Sequence, residues 1–239
     1  MGSNLSFLGI SLYWWALIIG TVASIVMNIV RRKLFDYSVT KAIVLGILLT
    51  LYGCIGTKVL YILEHVGEPI TLGGMSLFGA IFLIPVEVFL TALIMNEPYG
   101  KVMDFAGLNT IFGTAFMRVG CFINGCCGPR DIVINGVVHH PPIQLYECVL
   151  DLIAYFFLFW QERTGRMKAT GEEYPKVMIL YAIIRLIMEP FRDTPKNIAG
   201  LSEGQWLAIA SFVIGFIALY FVRKHAAELA KQKKKHKKA

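Results

Sequence analysis

Met75-Ser-Leu-Phe-Gly-Ala-Ile-Phe-Leu-Ile-Pro-Val-Glu-Val-Phe-Leu-Thr-Ala-Leu-Ile-Met95 decides the fold class. This run carries one charge, Glu87. As a helix rising about 1.5 Å per residue it spans roughly 30 Å, the thickness of the hydrocarbon layer of a bilayer. Working outward, six further apolar segments lie near Phe7–Val30, Ala42–Leu63, Val102–Met117, Gln144–Trp160, Val177–Phe191 and Trp206–Val222. Over all 239 residues, 56% are hydrophobic and only 16% charged, where a soluble domain carries about 25%. These proportions exclude a soluble enzyme, a secreted disulfide scaffold, a disordered chain and a nucleic-acid module. The expectation is an all-α polytopic membrane protein with seven transmembrane helices. Sheet is not expected within the bilayer, because only helices satisfy their own backbone there.

Lys and Arg bias orients the segments. With the N-terminus outside and the C-terminus inside, seventeen of the 23 Lys and Arg fall on the inner side. They include Arg31, Arg32, Lys33, Lys41, Lys101 and the tail from Arg223 to Lys238. The first segment reads as a retained anchor, since no Lys or Arg precedes it and Arg31-Arg32-Lys33 follows it. One transmembrane domain is expected over residues 1–222, with a basic cytoplasmic tail over residues 223–239. That location explains the net charge of +7 as topology and contact with anionic lipid headgroups, with no nucleic-acid partner.

Charge inside a span is costly and points to function. Here Lys58, Glu87, Asp104, Arg118, Glu147, Asp151, Arg185 and Glu189 are such residues, and most lie toward the outer ends of spans four to six. Arg185, Glu189 and Arg192 follow one another at i, i+4 and i+7, one helical face, with Pro190 kinking or ending the helix. Either a buried Arg–Glu pair joins two helices there, or a guanidinium is left to hold an anion; its planar fork suits phosphate. Gln144, Glu147, Cys148 and Asp151 share a second face after Pro141-Pro142. Arg118-Val-Gly-Cys-Phe-Ile-Asn-Gly-Cys-Cys-Gly128 adds glycines that let backbone approach a ligand and three thiols on the outer side. Those thiols are open to three readings: packing or a disulfide, a reactive thiolate, or a metal site. No metal or cofactor is assigned, because their spacing matches no standard zinc pattern.

These motifs resemble the bacterial prolipoprotein diacylglyceryl transferases. The family's Gly-Arg-x-Gly-Asn-Phe-x-Asn-x-Glu looks like Met117-Arg-Val-Gly-Cys-Phe-Ile-Asn-Gly-Cys126, and its His-Pro-x-Gln-Leu-Tyr-Glu looks like Pro141-Pro-Ile-Gln-Leu-Tyr-Glu147. Its Arg-x-x-x-Glu-x-x-Arg is met by Arg185, Glu189 and Arg192, and its Gly-Gln-x-Leu by Gly204-Gln-Trp-Leu207. The chain is similar to divergent members of the family, with a Gly125-Cys-Cys-Gly128 loop. The resemblance implies a seven-helix enzyme of the bacterial inner membrane, its active site facing outward. Such an enzyme moves a diacylglyceryl group from phosphatidylglycerol to a prolipoprotein cysteine and releases glycerol phosphate. Arg118 and Arg192 would hold the phosphate, oriented by Glu147, Arg185 and Glu189. Asn124, Gln144, Tyr146, Gly120, Ser76 and Gln205 would line the substrate site.

The departures fall on the part that activates the nucleophile. The family's Gly-Gly-x-Ser-Phe-His-Gly-Gly reads Gly73-Gly-Met-Ser-Leu-Phe78-Gly-Ala80, so Phe78 stands where the family has His. Arg-Trp-Tyr-Gly of span one reads Tyr13-Trp-Trp-Ala16. His140, or a thiolate of Cys126 or Cys127, would then replace the missing base. The alternative is a non-catalytic lipid-binding or thiol-redox protein on the same fold.

Overall fold

The computed structural model describes residues 6–7, 10–67, 76–196 and 199–236. Seven α-helices follow in order: α1 Leu12–Arg31, α2 Val39–Glu64, α3 Leu77–Met95, α4 Tyr99–Asn124, α5 Ile143–Arg163, α6 Glu173–Met188 and α7 Glu203–His236. Six of them are long and apolar enough to cross a membrane; α6, with 16 residues, is shorter. The architecture is that of an all-α, multi-pass membrane protein. Two short antiparallel hairpins, Ser6–Phe7 with Ile10–Ser11 and Ile132–Ile134 with Val137–His139, lie beyond the helices at the end where α1 begins and α4 finishes.

The distribution of side chains is the reverse of a soluble protein's. Ile19, Val22 and Val26 on α1 and Phe216, Ile217 and Phe221 on α7 face outward and are about half exposed, whereas Arg31, Asp104, Arg118, Glu147, Asp151, Arg185 and Arg192 are buried. Lipid tails solvate the first set, and the bundle interior supplies partners for the second. The central helix is α4, which packs against α1, α3, α5 and α6. Where α2 crosses α3, the backbones meet at Gly56 and Gly79, and a Cβ on Gly79 would overlap the Gly56 carbonyl. Small residues at such crossings let helices approach closely in lipid, where packing rather than hydrophobicity drives association.

Two boundaries differ from the sequence reading. The fourth helix does not stop at Met117 but continues through Arg118 to Asn124, because Arg118 finds buried carboxylate partners and need not end the span. The last helix runs past Val222 to His236, so the expected boundary at residues 222 and 223 falls within one continuous helix. Gly73, Gly74 and Met75 of the glycine-rich motif lie outside the described residues.

At the end of the bundle where α1 finishes and α6 begins, buried charges build structure. The Arg31 guanidinium is fully buried and donates to both oxygens of Glu162 at 2.8 and 2.6 Å. It also donates to the carbonyls of Phe105 (2.9 Å) and Asp104 (3.1 Å). The Asp104 carboxylate accepts the backbone N–H groups of Gly171 (2.7 Å) and Glu173 (3.0 Å), fixing the entry to α6. Glu97, between α3 and α4, pairs with Lys41 and Lys101. Burial pulls its carboxyl upward, but hydrogen bonds from both lysines outweigh this and hold it below the usual carboxylate range.

Candidate active site

The alternation of helices brings the ends of α4 and α6 and the start of α5 to the same, opposite end of the bundle. Proline at residues 141 and 142 precedes α5, whose first two turns present Gln144, Glu147 and Asp151 to the interior as one buried face. Glu147 is the hub. Arg185 Nη1 lies 3.1 Å from its Oε1, Arg192 Nη1 lies 3.0 Å from its Oε2, and Arg118 Nε lies 2.8 Å from its Oε2. A second carboxylate, Glu189, receives Arg185 Nη2 at 2.7 Å. Thus three guanidinium groups from α4, α6 and the segment after α6 converge on one acid of α5, all of them buried.

These arginines are not fully used. The Nε–H groups of Arg118, Arg185 and Arg192 are buried without a hydrogen-bond partner among the described residues; that of Arg118 is close to Glu147 but misaligned. Arg192 Nε lies 3.7 Å from Glu189 Oε2, and Arg118 Nε is in the ion pair with Glu147. Buried donors are normally satisfied, and N–H groups short of a well-aligned partner on three convergent guanidiniums suit an anion's oxygens. Asp151 stands one turn from Glu147 and accepts Thr114 Oγ1 at 3.1 Å.

Arg192 arrives by a different route from the one its spacing suggested. Pro190 ends the α-helix in a 3-10 turn, Glu189–Phe191, and Arg192 is extended rather than on the helical face. It is positioned by a β-bridge to Pro129, in which Arg130 N–H donates to the Phe191 carbonyl at 2.8 Å. The loop after α4 and the segment after α6 are thereby tied together. The start of that loop is set by Gly125, which takes a left-handed conformation at φ 67°. Its N–H bonds Phe122 O, and Cys126 N–H bonds Cys121 O, the two bonds of a Schellman ending. The turn folds Cys126 back over Cys121, and the sulfurs of Cys121, Cys126 and Cys127 all lie within 4.8 Å of one another. Hydrogen bonds from Cys121 and Cys126, followed by the charges of Arg192 and Arg118, hold the Cys127 thiol far below its ordinary range.

The expected lining residues divide. Gln144 is buried, and its amide donates to the Cys126 carbonyl at 3.0 Å, pinning the Cys loop to α5. Gly120 lets the ring of Tyr13 approach α4, a Cβ there meeting Tyr13 Cδ2 at 3.0 Å. Asn124 is exposed at the end of α4, close to Cys126. Ser76, at the start of α3, donates to Glu64 at 2.9 Å. Tyr146 faces away from the cluster and is 51% exposed. Gln205 is engaged in a capping box at the start of α7: its Oε1 accepts Ser202 N–H and its own N–H donates to Ser202 Oγ. His140 sits on the exposed hairpin paired with Asp131 at 2.9 Å, apart from the guanidiniums' partners.

Three contributors escaped the sequence reading. Tyr181 accepts Arg118 Nη2 at 3.2 Å; its place one helical turn before Arg185 was the available signal. Ser202 and Thr194 donate to Glu189 Oε1 at 2.7 and 3.0 Å, and no pattern in the chain marks them. Phe78 is buried, its ring 5.7 Å from that of Tyr181, so the family's histidine position does border this cluster. A mostly apolar cavity of about 130 Å³ runs between α1, α2, α3 and α4, from Ser24 and Asn109 to Leu77 and Met117, the residue before Arg118.

The model of the prolipoprotein diacylglyceryl transferase family matches residues 4–221. The chain is 26% identical to the phosphatidylglycerol–prolipoprotein diacylglyceryl transferase of Clostridium tetani over 87% of this chain and 92% of that protein. It is 32% identical to the Campylobacter curvus protein of that name over 67% of this chain and 63% of the relative. The corresponding figures for the Wolinella succinogenes protein are 34%, 60% and 56%.

Proposed function

Because the chain belongs to the prolipoprotein diacylglyceryl transferase family, we propose that it transfers a diacylglyceryl group from phosphatidylglycerol, or a similar anionic glycerophospholipid, to a thiol acceptor such as a prolipoprotein cysteine. The observation that carries this reading is the convergence of Arg118, Arg185 and Arg192 on Glu147, with buried Nε–H groups that lack a well-aligned partner among the described residues. A phosphodiester headgroup presents the oxygens such donors need. The mostly apolar cavity lined by α1, α2, α3 and α4 reaches Met117, the residue before Arg118, and is the place we propose for apolar parts of the lipid to enter.

In the reaction the acceptor sulfur attacks the glyceryl carbon next to the phosphate. A C–S bond forms, the C–O bond breaks, and the electron pair leaves on the phosphate oxygen of glycerol phosphate. Arg118 and Arg192 stabilise that developing charge, which is where preorganised donors contribute most. Glu147 and Glu189 hold the guanidiniums in register, with Tyr181 positioning Arg118. Phe78 cannot take the acceptor thiol's proton, so as the C–S bond forms that proton goes to a base on the outer loop, His140 or a thiolate of Cys126 or Cys127.

We place the protein in the bacterial inner membrane with seven spans, the N-terminus and this site outside and the basic tail inside. The alternation of helices and the Lys and Arg bias support that orientation. Purified protein in detergent is assayed with phosphatidylglycerol vesicles and a lipobox peptide. Lipidated peptide is the expected product, and it is lost in Arg118→Ala and Arg192→Ala. Turnover that survives both substitutions refutes the assigned site.

A further inference from the structure

The structure assigns a second role to the loop that ends α4: we propose that Cys121, Cys126 and Cys127 form a three-thiolate site for a divalent thiophilic cation of the zinc class, with its fourth coordination position open. Their sulfurs lie within 4.8 Å of one another. Three sulfurs bound at about 2.3 Å to one ion stand about 3.8–4.0 Å apart, so closure requires shifts of less than about 1 Å. The spacing Cys121, Cys126, Cys127 is unlike that of zinc fingers because one ligand comes from the last turn of a helix and two from its Schellman turn. The backbone is prepared for this. Cys127 holds φ 59°, a conformation that costs a non-glycine residue energy and persists only where its surroundings demand it. The loop is fixed on both sides, by Gln144 at the Cys126 carbonyl and by the Pro129–Arg192 bridge.

Charge selects the valence. All three sulfurs bind as thiolates, so a divalent ion leaves the complex with one negative charge. A monovalent ion would leave two. The charges of Arg192 and Arg118 reach this loop, and one negative charge burdens them least. No His, Asp or Glu joins the three sulfurs among the described residues, so the site has the three-ligand form that metal centres use to receive a substrate. Its use there rests on the transfer reading: an acceptor thiol entering the open position releases its proton to the outer water and is held as a thiolate.

The full-length protein in detergent micelles, reduced and stripped with a chelator, is titrated with Co(II) and Cd(II). One equivalent is expected, with a thiolate-to-metal charge-transfer band. The band is lost in Cys121→Ser, Cys126→Ser and Cys127→Ser and kept in Cys54→Ser and Cys148→Ser, each checked for a folded monodisperse profile. A small thiol added to the Co(II)-loaded protein is expected to perturb the spectrum by occupying the fourth position. No band in the reduced protein overturns the site, as does a band indifferent to the three serines. A Co(II) spectrum unchanged by thiol overturns the open position. None of these readings depends on lipid turnover, so failure of the transfer assay leaves the metal result standing on its own.

Discussion

Replacing Arg31 tests whether a charge read from the sequence as a topology signal also holds the fold together. Its guanidinium makes two charge-assisted bonds to Glu162 and two to carbonyls of α4, all buried. Arg31→Met leaves the Glu162 carboxylate alone in the interior, a change that costs about 3–5 kcal/mol. At about 2–4 °C per kcal/mol for a chain of this size, the unfolding midpoint in detergent falls by roughly 6–20 °C. Adding Glu162→Met removes the stranded charge, and most of that loss returns, since a buried pair and a well-packed apolar pair are often nearly equal in stability. Arg31→Lys keeps the positive charge that orients α1 but cannot form the bidentate fork. It is expected to preserve topology in a reporter fusion and still lower the midpoint. If Arg31→Lys melts with the parent, or if the double variant is less stable than Arg31→Met, the structural role argued for this residue is wrong.

Tyr181→Phe removes the 3.2 Å bond to Arg118 and is expected to lower kcat/KM by about ten- to a hundredfold, the equivalent of about 1.5–3 kcal/mol, with little change in thermal stability; an unchanged kcat/KM argues against positioning. Gly79→Ala forces α2 and α3 apart and should destabilise by about 1–3 kcal/mol. Gly53→Ala, with nothing within 4 Å of the new methyl, is the control, and equal melting of the two would refute the close crossing. Glu97→Gln reads the pH dependence. The native carboxyl titrates below its ordinary 4.5, so its contribution is full above that value and fades as the pH falls through the lower native pKa. The stability gap between parent and variant therefore closes in acid, and a gap that persists at the lowest pH denies the ion pairs their role.

The class of fold was legible because bilayer thickness acts on length and hydropathy, which any single segment displays. Helix ends were less so: a charge such as Arg118 ends a span only if it lacks partners, and its partner Glu147 lies on another helix. In the candidate site, the face Gln144–Glu147–Asp151 followed from helical period and is buried as one surface. Arg192 was named for the wrong physical reason, since its placement depends on a bridge to Pro129 that no local pattern encodes. Gln205 shows the converse. Its motif suggested a ligand contact, and its Oε1 also caps α7 by accepting Ser202 N–H, a local role the motif does not announce.

The two anchors of the Cys loop have a bearing on how this chain can be altered. Gln144 holds one end and the Pro129–Arg192 pair the other, so Ile132–His139 projects as an appendage attached outside both restraints. Exchange of that hairpin for a longer loop, an epitope or a binding peptide should leave the arginines where they are. The hairpin and the arginine cluster can then vary independently of each other, because no restraint on the arginines among the described residues runs through residues 132–139.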